Sequence, residues 1–436
     1  MKYSLKNRYH ISMILGIALL VSAVPIDKTF PILVVIFGLL FGIILISFSQ
    51  KEERYFLTRI FIIAFLLRVI ISIYFYNVIF LYNGEGLIGD SYAYGVNGGV
   101  ILDLWYKGER NLARLSEEAF RLSASGNLGN YDFWNAIVFY FTGVSPFTMI
   151  FINCLASALT IVLVYQITKQ VWNYKAAKFA TFLTAFWPST FFWSIQNLKE
   201  PLVIFFTISL IWAIVKLRRK FRFYLIFIII CATTVLSILR DFLVPILYFF
   251  VLPCAMLCAS KHKKIIIAFL LVLGICIIYG SKLRNPDFFT LEGFLRWLMQ
   301  KRTDRAYGNL AFFSSWDITN IPRFILFLPV SFLMAIFAPF PWQLGSLSQI
   351  ASLPEMLLFY YFIPAMFLGI KMLVTNEIKE GWVLIVYIFT IAFILALIEG
   401  NVGTLFRHRA IILPIYFVFI GIGMDKCKFK ITFRDS

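Results

Sequence analysis

Apolar residues come along this chain in long runs from Ile11 to Met424, separated by short polar stretches. A helix needs about 20 such residues to cross a hydrocarbon core, and inside lipid every backbone N–H and C=O has to be paired within the segment or its neighbours. The pattern therefore predicts an all-α polytopic membrane protein, one integral-membrane domain over 1–436, with roughly 10–12 transmembrane helices. The first span is expected from Ile11, uncleaved although Val21-Ser22-Ala23 has the small residues of a signal-peptidase site, and it pairs with Phe30 to Phe48 as a hairpin. Further spans are expected at 56–81, 146–168, 174–193, 201–216, 223–239, 242–259, 265–280, 356–374, 382–398 and 410–424. Gly38 and Gly42 form a GxxxG, a helix-packing face.

The polar breaks carry the topology. Lys2, Lys6 and Arg8, KLRRKFR at 216–222, KHKK at 261–264 and the basic tail within 425–436 fit cytoplasmic segments. Breaks then fall on the outer side at 82–133, 194–200, 240–241, 281–323 and 399–409. The first holds GEGLIGDSYAYGVNGG at 84–99, read as a Gly-rich loop. Glu109 to Ser125 follows, with Leu112, Leu115, Ala119 and Leu122 at helical spacing, which predicts amphipathic surface helix. Keeping 399–409 outside requires one apolar segment not to cross. That segment is expected to be 324–340, which holds Pro329 and Pro339 and suits a re-entrant or interfacial path.

Composition narrows the function classes. The chain is 61% apolar and 14% charged, with a net charge of +18. Its Lys and Arg lie in short clusters without a continuous basic face, so the charge reads as topology and nucleic acid is not an expected partner. Five of six cysteines sit in apolar runs, and the histidines His10, His262 and His408 are scattered, so neither a disulfide framework nor a metal site is predicted. There is no GxxxxGK[ST] and no Asp-X-Asp, which argues against ATP-driven transport and soluble nucleotide-sugar binding.

Charge at a membrane boundary is costly unless paired, solvated or used. Asp90, followed by Tyr92, Tyr94 and Asn97, reads either as ordinary Gly-Asp-Ser turn chemistry or as a general base. Lys199 and Glu200 precede Pro201 at the mouth of a span. The acid and the proline suit a helix start, while an outer lysine runs against the positive-inside bias and could meet an anion. Arg407, His408 and Arg409 concentrate cations that fit a lipid phosphate or a cytoplasmic loop equally well. Arg240-Asp241 reads as a local ion pair or a ligand contact, and Arg296, Lys301, Arg302 and Arg305 as phosphate contacts or solvated surface.

In the order of these features the chain resembles the GT-C superfamily, the membrane glycosyltransferases that use polyprenyl-phosphate-linked sugars, particularly bacterial relatives of protein O-mannosyltransferases. The resemblance covers the Asp-bearing stretch at 84–99, FYFTGVSPFTMIFINCLASALTIVLVYQITKQVW at 139–172, AKFATFLTAFWPSTFFWSIQNLKEPL at 177–202 and GTLFRHR at 403–409. It implies a GT-C-like fold in a bacterial inner (plasma) membrane and inverting sugar transfer to a glycan, lipid or protein acceptor of the cell envelope. It also implies Asp90 as base, with Lys199, Arg407 and Arg409 on the lipid phosphate. Glu200, His408, Tyr94 and Arg240 are further substrate-binding candidates, and a divalent cation is left open. The chain departs from the pattern in having Ser91 after Asp90, where many members carry a second acid, and no large C-terminal outer domain. An O-antigen-type polymerase or ligase and a lipid-linked-sugar flippase or transporter are the rival classes.

Overall fold

A computed structural model describes the chain except for residues 1–25, 85, 88, 112–113, 116, 118–127, 241–242, 247–250, 258–289, 307–310, 313–315, 341–346 and 427–436. The expected spans at the N-terminus and at 265–280, KHKK, Asp241 and most of the surface-helix segment after Glu109 lie outside the described residues. The rest is helical: α1 (Ile26–Ser47), α2 (Lys51–Asn83), α3 (Gly89–Tyr106), α4 (Asn130–Thr142), α5 (Pro146–Val171), α6 (Tyr174–Phe186), α7 (Pro188–Ser194), α8 (Glu200–Arg219), α9 (Phe223–Leu239), α10 (Leu243–Ile246), α11 (Leu252–Leu257), α12 (Leu291–Thr303), α13 (Ile321–Phe337), α14 (Leu347–Thr375), α15 (Lys379–Ile398), α16 (Val402–Arg409) and α17 (Leu413–Lys426). Among the described residues six helices are long and apolar enough to cross a membrane, or seven if the bent pair α16 and α17 is one span. The protein is a multi-pass, all-α membrane protein. Its apolar side chains are set outward as lipid requires, with Phe37 63%, Phe48 83% and Leu81 87% exposed.

The residues form two compact units. Unit one comprises the chain up to Leu159 together with Phe191–Leu202. Here α1 packs on α2 through its GxxxG: a Cβ on Gly42 would lie 2.1 Å from the Phe61 ring, and one on Gly38 would lie 3.1 Å from Leu155. Small residues thus let aromatic rings rest on the helix backbone. The α2 helix ends where Gly84 turns left-handed at φ 75°, its N–H returning to the Phe80 carbonyl at 2.8 Å. The next element departs from expectation, because the stretch read as a Gly-rich loop at 84–99 is mostly helix α3. Its glycines serve packing: at Gly98 an added Cβ would come within 2.5 Å of the Asn135 Cβ on α4.

Unit two comprises Thr160–Thr190 and Val203 onward. The expected span at 174–193 is two helices. Proline disfavours helical backbone in the residue before it, and Trp187, ahead of Pro188, is extended at φ −66°, ψ 126°. At the core of the unit α17 packs against α14 and α6 with backbone touching backbone. Cβ atoms on Gly423 and Gly369 would fall 1.9 Å and 2.0 Å from the Ala365 and Phe419 carbonyl oxygens, and one on Gly421 would fall 2.5 Å from that of Ala176. The apolar segment expected not to cross is α13, 17 residues long with Pro329 inside. At 1.5 Å per residue it spans about 26 Å, as does the 17-residue α9.

Candidate active site

In unit one a buried polar network holds the start of α3, which carries Asp90, against the turn that carries Lys199. The Asn197 amide N–H donates to Ser91 Oγ at 3.0 Å. The Asn197 side chain donates to Asn135 Oδ1 at 2.8 Å and accepts from the Tyr131 hydroxyl at 3.1 Å. That hydroxyl also reaches the Leu198 carbonyl at 3.0 Å. From α5, Asn153 donates to the Gln196 and Leu198 carbonyls at 2.8 and 2.7 Å, so the whole 196–198 turn is fixed by side chains. Tyr94 packs edge-on against Tyr131, ring centres 4.8 Å apart. Ser91, Asn97, Asn135, Asn153 and Asn197 are all buried, whereas Asp90 beside them is exposed in the first turn of α3. An acid in that position is favoured by the helix dipole.

A second carboxylate of unit one is buried and bound to α3 through Asn97. Asp132 in α4 is buried, accepts from Asn97 Nδ2 at 3.1 Å and from the Gly129 amide at 2.5 Å, and feels the charge of Lys199. Burial pushes its carboxyl above the usual aspartate value, against the pull of the Gly129 amide, Asn97 and Lys199. Unit one therefore fixes Ser91, next to Asp90, and the 196–198 turn, next to Lys199, on one network against which Tyr94 packs, with Glu200 buried as the first residue of α8.

In unit two the segment read as an Arg-His-Arg loop is helix α16. Asn401 caps it, accepting from the Gly403 amide at 2.8 Å. Successive helical side chains lie about 100° apart, so Arg407 and Arg409 diverge. Arg409 turns inward, 2% exposed, and donates to the Ile336 and Ala338 carbonyls at 2.9 and 2.6 Å between the Phe359 and Phe406 rings. Its fork is occupied by backbone carbonyls and Met356, where the expectation was a phosphate. Arg407 and His408 stay half-buried.

His408 Nδ1 lies 2.7 Å from Glu399 Oε1, which also accepts from Arg305 Nη1 at 2.9 Å, while Thr404 Oγ donates to Oε2 at 3.0 Å. Burial tends to raise the Glu399 carboxyl, but His408, Arg305 and Thr404 overcome it and hold it at about 2. Arg302, 1% exposed, donates to the Glu399 and Phe312 carbonyls between the Phe312 and Phe327 rings. Burial lowers its pKa to about 10 despite the nearby Glu399 charge. Arg240 is buried at the C-terminal end of α9, and its neighbour Asp241 lies outside the described residues. Among the described residues no group of three or more His, Cys, Asp or Glu is arranged to hold a metal ion.

Three residues central to these networks escaped the sequence reading: Asp132, Asn153 and Glu399. Asn153 carried the clearest signal, a carboxamide within the apolar run FINCLASALT. Asp132 and Glu399 sit at element boundaries, where a sequence shows charge but not burial.

No family model and no curated protein matches the chain. Among solved structures it is similar to two crystal structures of the Archaeoglobus fulgidus oligosaccharyltransferase, one tethered by a disulfide to an acceptor peptide containing the NVT sequon and one in the apo form. Sequence identity is 14% and 13%, and the TM-score is 0.49 for each. The matches cover 87% and 86% of this chain and 50% and 51% of those, so the chain spans about half their length.

Proposed function

We propose that the protein is a GT-C-type glycosyltransferase that moves a sugar from a polyprenyl-phosphate donor to an acceptor of the bacterial cell envelope, on the outer side of the plasma membrane, with inversion. The observation that carries this reading is the network that fixes Ser91, the neighbour of Asp90. Burying an unsatisfied amide or phenol costs roughly 1–3 kcal/mol. A chain that packs Tyr131, Asn135, Asn153 and Asn197 together has a use for the turn they fix, and that turn sits beside an exposed carboxylate. Displacement at an anomeric carbon needs a base for the acceptor hydroxyl and cations for the departing phosphate. Asp90 takes the first role, with Tyr94 packed against the same network. Lys199, in the same unit, takes the second. In unit two, considered by itself, Arg407 and His408 on α16 make a phosphate-binding element, with Arg409 holding α16 in place.

The test is transfer by purified protein in lipid vesicles from a radiolabelled polyprenyl-phosphate hexose to extracted envelope acceptors. The expected result is label released from the lipid and covalently attached to acceptor. Label that crosses the bilayer with the donor intact would instead identify a flippase and overturn the enzyme reading.

A further inference from the structure

Around Glu399 the arrangement is layered. The carboxylate lies at the bottom, with a side-chain exposure of 0%, His408 above it at 13% and Arg305 at 30%. A single acid thus contacts two basic side chains, both more exposed than itself. Thr404 holds the second carboxylate oxygen, and Arg302 fixes the Glu399 backbone from below. Arg305 meets the carboxylate through Nη1, which leaves the rest of its fork on a 30% exposed side chain, where an anion with several oxygens would be held strongly.

We propose that Glu399 is the positioning residue of an anion site in unit two, holding Arg305 and His408 in place for the phosphate monoester of a membrane lipid. The inference rests on the reading of α16 as a phosphate-binding element and adds the group that builds it. With Nδ1–H directed at Glu399, the histidine presents its proton-exchanging nitrogen, Nε2, on the opposite edge of the ring. Arg305 is held through Nη1, which orients the rest of its fork. The consequence runs against simple electrostatics. Removing a negative charge from beside bound phosphate should tighten binding, whereas loss of a positioning residue weakens it.

The experiment measures binding of farnesyl phosphate and of inorganic phosphate to the full-length protein in detergent. Wild-type protein is expected to prefer farnesyl phosphate. Glu399→Gln is expected to raise its Kd about tenfold, the loss of one charge-assisted contact, with partial recovery in Glu399→Asp. Binding by Glu399→Gln that is unchanged or tighter overturns the positioning role and leaves the glycosyltransferase reading standing. Wild-type protein that binds neither probe overturns the anion site and, with it, the phosphate role of α16. Equal affinity for both probes overturns the lipid as ligand in favour of free phosphate. Should Glu399→Gln fail to fold, Thr404→Val decides the matter: it keeps every charge but frees Oε2, so weaker farnesyl phosphate binding is expected and unchanged binding refutes the proposal.

Discussion

Around Asp90 the buried groups are amides, a phenol and one acid joined mostly by neutral hydrogen bonds, whereas around His408 they are ions. A neutral network gives up little hydration when buried and keeps its geometry whatever the pH. An ionic one loses more hydration and needs every charge answered. Unit two meets that requirement with backbone carbonyls and aromatic faces for Arg302 and Arg409, and with a shared carboxylate for Arg305 and His408. Under the proposed function the two units suit different tasks, rigid placement of a base in unit one and an ionic anion-binding element in unit two.

The sharpest test of this contrast is Arg302→Ala. It removes two charge-assisted hydrogen bonds and the cation between two rings, and should cost unit two about 3 kcal/mol or more. Thermal unfolding in detergent, followed by intrinsic fluorescence, reads the change. Tyr131→Phe in unit one removes one hydroxyl, leaving Asn197 Oδ1 and the Leu198 carbonyl to other donors. It should cost only about 1–2 kcal/mol. Equal losses in the two variants would break the contrast.

The smallest effect is in acid. The Glu399 carboxyl is held at about 2 against an ordinary 4.5, so its stabilisation is complete above the ordinary value and is lost as pH falls through about 2. Asp132 is shifted the other way, above 3.8, so its charged form costs stability above its raised value, and acidification removes that cost. Unfolding temperatures measured from pH 7 downward should therefore show the Glu399→Gln deficit constant to about pH 5 and narrowing below. The Asp132→Asn difference should change in the opposite sense on acidification, because wild-type protein sheds the cost of the buried charge. Changes of the same sign in the two variants would contradict the assignment.

What the sequence made legible follows the physics of each signal. Long apolar runs specify helices because lipid leaves the backbone no alternative, and α1, α2, α5, α8, α14 and α15 lie close to the predicted spans. The break at Trp187-Pro188 was readable too, but the apolar run masked it. Asp90 and Lys199 stood out because charge is expensive where they sit. The helix at 89–106 was hidden by its glycines, of which Gly98 acts in packing against α4 while Gly84, Gly86 and Gly89 adopt positive φ at and before its start. Reading 399–409 as a loop erased the one feature that separates Arg407 from Arg409, their opposite directions on a helix. Glu399 was invisible because its burial depends on Arg302 and Arg305, about a hundred residues earlier in the chain.

The central claim is that Asp90 acts as the base while the network that fixes its neighbour Ser91 only holds it in place. Single-turnover sugar transfer by Asp90→Asn, measured beside farnesyl phosphate binding to the same preparation, tests it most directly. Removing a general base lowers rates by about 10²–10⁴-fold, so the account predicts a loss in that range with binding retained. Transfer at the wild-type rate would contradict it.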